Sequence, residues 1–340
     1  MIATTRQLLA RARSPQTRPL AIAAGLFALA AVLPPLPLPG RSYTHMIVLD
    51  ITQSMNTLDY ELDGKPVDRL TYAKHSLGQA LRSLPCGSSV GWGVFSEYRL
   101  LALMTPVEVC GNYHELLATL SNIDGQMSWA GASEVSKGLF SSIRALKDLD
   151  QKPSLIFVTD GHEAPPLHPK LRPSFDGEPG VVKGLIVGTG GPTLSPIPKF
   201  DPDGRPLGFW RADEVAQIDT ATQGRAGSAG NGEAMVDENG NRVAQVQSAG
   251  TEHLSSLKST HLRDLASQTG MSYLTLADTE ALAKAMTHPD FARTQSVPTR
   301  VSWLPALLGV LSLAWAFRPD RRPASIDRLR SLFSRPRTAR

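Results

Sequence analysis

The sequence predicts an α/β domain, a doubly wound and mostly parallel sheet with helices on both faces. Three observations predict it. Short apolar runs without polar alternation end abruptly at polar or glycine residues, as strands buried on both faces do. Segments with apolar residues at helical spacing separate these runs. The two kinds of segment alternate, which is the order of a parallel sheet with crossover helices.

The first run is His45-Met46-Ile47-Val48-Leu49, ending at Asp50. Over 68–84, Leu70, Ala73, Leu77, Ala80, Leu81 and Leu84 share one helical face. Residues 88–95 (SSVGWGVF) and 100–104 (LLALM) then read as a hairpin around Ser96-Glu97-Tyr98-Arg99. A helix near 113–121 leads through a loop to another near 133–147, with Val135, Leu139, Ile143 and Leu146 at helical spacing. Ser154 to Thr159 is a second buried strand, ended by Asp160-Gly161, and 181–188 (VVKGLIVG) is a third. Residues 189–255 break the rhythm, being rich in Gly, Pro, Asn and Ser. Asp201-Pro202-Asp203-Gly204 and Asp237-Glu238-Asn239-Gly240-Asn241 read as hairpin turns in an insertion. The pattern resumes with a helix at 259–269 stopped by Gly270, a strand at 271–276 and a last helix near 278–287.

The formal charge of +4 is unevenly spread. Residues 1–18 hold four arginines and no acid, and 318–340 hold eight arginines against two aspartates, which leaves −6 for 19–317. An acidic folded part argues against nucleic acid as a partner. Each basic end abuts an apolar run, and the seventeen uncharged residues 301–317 make roughly 25 Å of helix. The expectation is two transmembrane helices. They divide the chain into a cytoplasmic segment (1–18), an anchor (19–40), an outer domain (41–300), a second transmembrane helix (301–317) and a basic cytoplasmic tail (318–340). A cleaved signal peptide is the alternative for the first run, and a buried core helix for the second. The positive-inside rule places both termini in the cytoplasm and the domain in the periplasm, at a bacterial inner membrane. The arginine tail serves as a topology signal, or as a dock for an ATPase or lipid.

Cys86 and Cys110 are the only cysteines. Paired positions in a hairpin share a constant index sum, 196 for Phe95 with Leu101 and also for Cys86 with Cys110. This predicts a cross-hairpin disulfide in an oxidising compartment, with two unpaired buried thiols as the alternative.

Three polar sites fall at strand ends or open a helix: Asp50-Ile51-Thr52-Gln53-Ser54, Gly131-Ala132-Ser133 and Thr159-Asp160-Gly161. Ligands of open α/β sheets bind at such ends, beside the topological switch point. Carboxylates and hydroxyls at short reach suit a hard cation. At these residues the sequence resembles the von Willebrand factor A (VWA) family. Its metal-ion-dependent adhesion site has Asp-x-Ser-x-Ser after the first strand, Thr in a second loop and Asp in a third. Asp50 and Ser54 match the first element, and Thr52 stands where the family usually has Ser. Ser133 stands at the Thr position, aligned by Val135 and Gly138-Leu139, and Asp160 matches the third-loop Asp. The resemblance covers roughly 45–190 and resumes over 255–288. It implies that Asp50, Thr52, Ser54, Ser133 and Asp160 hold Mg²⁺, or Mn²⁺ or Ca²⁺, and that a partner protein supplies a carboxylate.

The placement of a VWA domain between two anchors is similar to the bacterial aerotolerance-type membrane proteins. VLDITQSMN and the insertion GGPTLSPIPKFDPDGRPLGFW look more like the VWA accessory proteins encoded with periplasmic methanol dehydrogenase. That resemblance implies an accessory role in maturing this quinoprotein or its assembly complex. Enzymatic readings fit less well. A haloacid-dehalogenase-type phosphatase needs a second Asp where Thr52 stands. His162, Glu163 and His168 lack metallohydrolase spacing, and Pro165, Pro166 and Pro169 forbid a regular helix there. Asp201-Pro202-Asp203-Gly204 lacks the later Glu of a calcium loop. Phe209 and Trp210 beside it are a partner contact or a small local core.

Overall fold

The computed structural model describes residues 18–167, 172–201, 203–217 and 250–318. They divide into two compact units, Pro39–Val297 and a smaller one of residues before 39 and after 297. In chain order the elements begin with α1 (Arg18–Val32), β1 (Leu36–Ser42), β2 (Thr44–Asp50), β3 (Tyr60–Leu62), β4 (Lys65–Val67) and α2 (Arg69–Leu81). Next come β5 (Ser89–Ser96), β6 (Arg99–Glu108), α3 (Tyr113–Asn122), α4 (Val135–Lys147), β7 (Ser154–Thr159) and β8 (Gly184–Gly188). The insertion supplies β9 (Ser195–Pro196), β10 (Pro198–Phe200), β11 (Pro206–Phe209) and β12 (Leu254–Ser255). The chain continues with α5 (Ser259–Thr269), β13 (Ser272–Thr275), α6 (Thr279–Met286), β14 (Arg293–Thr299) and α7 (Trp303–Ala316).

The main sheet has six strands in the order β13-β8-β7-β2-β5-β6. All neighbours are parallel except β5 and β6. Its residues alternate between two cores. Ile47, Leu49, Ile156 and Val158 pack against α2, α3 and α6 through Leu77, Leu116 and Leu282. Met46, Val48, Leu155 and Phe157 pack against α4 and α5 through Leu139, Ile143 and Leu262. Apolar runs without alternation are thus buried on both faces, as a parallel sheet covered by helices requires. The α/β expectation holds, with one antiparallel edge strand.

Local chemistry sets the helix ends. Asp68 accepts the Thr71 N–H at 2.7 Å and caps α2. Gly270, at φ 69°, ends α5 in the left-handed conformation that favours glycine. The β10–β11 hairpin forms at the predicted turn, where Asp201 Oδ1 accepts the N–H groups of Asp203 and Arg205. The predicted turn at 237–241 lies outside the described residues. A second hairpin, β3–β4, turns through Asp63 and Gly64, both at positive φ, as a tight hairpin turn requires.

The predicted disulfide is present. Cys86 and Cys110 are bonded with Cα atoms 5.3 Å apart, just beyond the ends of β5 and β6. The register differs from a constant sum of 196. Phe95 pairs with Leu100 near the turn and Ser89 with Glu108 at the open end, with two irregularities between. The shifts run one residue to either side of 196, so the cysteines still meet. Glu108 accepts the N–H groups of Gly87 and Gly111, tying down both strand ends beside the bridge.

The two transmembrane helices are not borne out. Among the described residues no helix is long and apolar enough to cross a membrane. The first apolar run is helical only to Val32, because prolines at 34, 35, 37 and 39 force an extended chain after it. α1 has 15 residues and α7 has 14, about 21–23 Å each, against about 30 Å of hydrocarbon. Within the smaller unit the two helices pack together. Gly309 gives Phe27 room, and Ser312 Oγ donates to the Pro19 carbonyl at 2.8 Å.

Candidate metal centre

β2 and β7 lie side by side at the sheet's switch point, because the chain leaves β2 for β5 on one side and returns to β7 on the other. Their carboxyl ends present Asp50 and the Thr159-Asp160 pair, all fully buried. Asp50 Oδ1 accepts the Thr52 N–H at 2.9 Å and its hydroxyl at 2.6 Å. Asp50 Oδ2 accepts the Thr159 hydroxyl at 2.6 Å. Asp160 Oδ1 accepts the His162 N–H at 2.9 Å. Its Oδ2 accepts from Arg69 Nη1 at 2.5 Å and Ser255 Oγ at 3.1 Å.

Ser54 sits in the single 3₁₀ turn after β2, and Ser133 in the loop before α4. Ser133 is stitched in place by backbone bonds. It exchanges N–H···O contacts of 2.7 Å with Ala164 in both directions, while Glu97 donates to Ala132 and accepts from Glu134. Thr52, Ser54, Ser133 and His162 line one cleft. The Arg69 Nη1 that holds Asp160 also reaches the Ser54 carbonyl at 3.4 Å. The structure thus brings the five predicted residues together at one end of the sheet.

Two features make this more than a polar loop cluster. The hydroxyl oxygen of Ser133 is buried and has no hydrogen-bond partner, and that of Ser54 is buried beside the Asp160 carboxyl, whose ionised form it favours. Buried polar atoms are seldom left without a partner. The charges are also unbalanced. Arg69 is fully buried and pairs with both Asp59 and Asp160, so three carboxylates with Asp50 face one guanidinium. Burial lowers the His162 pKa and keeps that ring neutral. Burial and the neighbouring Asp160 push the Asp50 carboxyl up to about 7 against the pull of Thr159 and Thr52. Burial opposes the charged form of Asp160 as well, but Arg69 beside it holds its carboxyl below the usual range. An unpartnered hydroxyl and a buried carboxyl whose charge its neighbours oppose fit a hard divalent cation, which would favour the ionised form.

Glu163 serves another purpose. Its Oε1 accepts the Ser136 N–H and hydroxyl and meets His261 Nε2 at 2.9 Å, fastening the loop to the start of α4. His168 lies outside the described residues. Arg69, Asp59 and Ser255 are site residues that sequence reasoning missed, and Thr159, inside the expected Thr159-Asp160-Gly161 site, supports Asp50. For Arg69 a signal existed, since it shares the helical stripe of Ala73, Ser76 and Ala80, all buried.

Residues 45–162 match the family model described as von Willebrand factor type A domain. No curated protein sequence matches the chain. Among solved structures, the chain is similar to an aerotolerance-related membrane protein from Bacteroides fragilis, at 15% identity and a TM-score of 0.43, covering 72% of this chain and 96% of that one. It is also similar to the conserved hypothetical protein BatB from Bacteroides thetaiotaomicron, at 16% identity and a TM-score of 0.44, covering 72% and 95%. The PilB minor pilin from Streptococcus sanguinis is 11% identical with a TM-score of 0.38, over 74% of this chain and 61% of that one.

Proposed function

We propose that this VWA domain captures a partner protein through a divalent cation held by Asp50, Thr52, Ser54, Ser133 and Asp160. The observation that carries this reading is the buried hydroxyls of Ser54 and Ser133, the latter without a partner, gathered at the strand ends that bury two carboxylates. Mg²⁺ suits such oxygens best, and Mn²⁺ or Ca²⁺ would use the same set. A cation held mostly by neutral oxygens stays electrophilic enough to accept a carboxylate from outside. The chain's own residues keep the site preset. Thr52 and Thr159 fix the Asp50 carboxylate, and Arg69 with Ser255 fixes that of Asp160.

Binding fits better than turnover. The position two residues after Asp50, where a phosphatase of this sheet type keeps its general acid, holds Thr52, whose hydroxyl is bonded to Asp50. The disulfide supports an oxidising compartment. The resemblance of VLDITQSMN and of the 190–210 insertion to methanol dehydrogenase accessory proteins names the first partner to try, a periplasmic quinoprotein dehydrogenase or its assembly complex.

The test is capture of that dehydrogenase on immobilised protein in Mg²⁺ and in EDTA. Capture should require Mg²⁺ and vanish in Asp50→Ala without loss of the folded state. Capture that persists in EDTA overturns the mechanism, and Mg²⁺-dependent capture of a different protein overturns only the choice of partner. Mg²⁺-dependent phosphate-ester hydrolysis lost in Asp50→Asn would replace the binding reading with an enzymatic one.

A further inference from the structure

Two clefts adjoin at the carboxyl ends of the strands. The first, about 400 Å³, opens on Thr52, Ser54 and Ser133, and much of its remaining wall is apolar, made by Pro165, Pro166, Ile197, Trp210 and Val215. The second, about 560 Å³, includes Trp129 and Phe200. Gln53 and Gly131 line both and form a common sill. One stretch of the insertion walls both clefts, with Ile197 toward the first and Pro198 and Phe200 toward the second, the side-to-side alternation of an extended chain.

Trp210 is held in its place. Lys199 lies 4.4 Å from its ring centroid and is itself ion-paired with Glu214 at 2.6 Å. Its indole N–H is buried with no acceptor. A buried donor without a partner is costly, so an acceptor from outside gains by meeting it. Of the cleft's own acids, Glu214 is held by Lys199, and Glu252 lies 3.7 Å from His162 Nε2. An incoming carboxylate therefore finds the cation residues as the part of the cleft suited to it, and an apolar wall beside them.

We infer that the two clefts form one groove for a short, extended acidic–apolar segment of the partner protein. Its carboxylate reaches the cation at Thr52, Ser54 and Ser133. An adjacent aromatic or branched apolar side chain fills the wall of Pro165, Pro166, Ile197 and Trp210. The segment crosses the Gln53–Gly131 sill toward Trp129 and Phe200. It is extended because a carbonyl free to accept from Trp210 Nε1 is one that a helix interior has already used. This inference rests on the cation reading above and adds what the partner must present.

The experiment uses the full chain and two libraries of capped heptapeptides, one with a fixed central Asp and one with a fixed central Asn, both randomised elsewhere. Mn²⁺ binding is followed in parallel by electron paramagnetic resonance. In Mg²⁺ the Asp library should be retained with enrichment of aromatic and branched apolar neighbours, and the Asn library should not. Trp210→Phe, which keeps a ring and removes the N–H, should weaken the selected peptides about tenfold. Phe200→Ser, at an exposed position, should erase the preference at one end of the segment. Mn²⁺ affinity should not change in either variant. Bound Mn²⁺ with no retained peptide, with retention indifferent to the neighbours, or with a preference unmoved in both variants overturns the groove and leaves the cation reading intact. Failure of the unmodified chain to bind Mn²⁺ overturns the cation reading itself.

Discussion

Replacing Arg69 by leucine would strand Asp59 and Asp160 in a buried site, because the guanidinium is their shared partner. Breaking a buried pair from one side costs about 3–5 kcal/mol, and urea unfolding of Arg69→Leu should show that loss. Asp50 gives a pH prediction. Its folded pKa of about 7 lies above the ordinary value of 3.8, so the metal-free fold gains from protonating it. That contribution is complete below the unfolded pKa and is lost as pH rises through about 7. Thermal melts in EDTA should therefore lose stability as pH rises from about 4 to about 7 and level off above that, and Mg²⁺, which favours the ionised form, should restore more at pH 8 than at pH 5. A flat profile in Asp50→Asn would identify the group. Asp50, Ser54, Ser133 and Asp160 were legible because their order and spacing follow strand ends. Arg69 was not, because an arginine at a helix start ordinarily reaches solvent, and only its place on a buried stripe hinted otherwise.

The elements were legible wherever burial imposed a period. Runs at 45–49 and 154–159 became central strands because both faces are covered, and the stripe at 135–146 became α4. The hairpin register was less legible, since its irregularities depend on how Gly91 and Gly93 sit against β6. A Cβ on Gly91 would lie 2.7 Å from the Met104 carbonyl, a close approach no side chain permits. The β3–β4 hairpin was missed although Asp63-Gly64 carries the turn signal, because its strands are three residues long, too short for a period to stand out, and β4 has a proline at its centre. Gly138 shows what packing adds to sequence. It lies on α4 directly over Phe95, and a Cβ there would fall 2.0 Å from the ring. Gly138→Ala should cost about 1–3 kcal/mol despite the better helix propensity of alanine, as a lowered melting temperature would show.

At the scale of the molecule, composition was a poor guide to the ends and a good guide to the middle. Apolar content near the termini suggested spans, but proline placement decides helix length, and α1 and α7 stop short. The disulfide closes the open end of the β5–β6 hairpin across a sequence separation of 24. Its reduction should lower stability by about 2–4 kcal/mol, as urea titrations with and without dithiothreitol would show. The stitching of Ser133 carries a further consequence. Ser133 and Ala164 trade backbone bonds, and Glu97 does the same with Ala132 and Glu134. The hairpin tip, the loop before α4 and the loop after β7 are therefore one hydrogen-bonded patch, which opens as a unit or stays shut. Deuterium should then enter the amides of Glu97, Ser133 and Ala164 at a common rate, slowed together by Mg²⁺. The tip at Tyr98, remote in sequence from every cation ligand, becomes a clock for whether the site is filled.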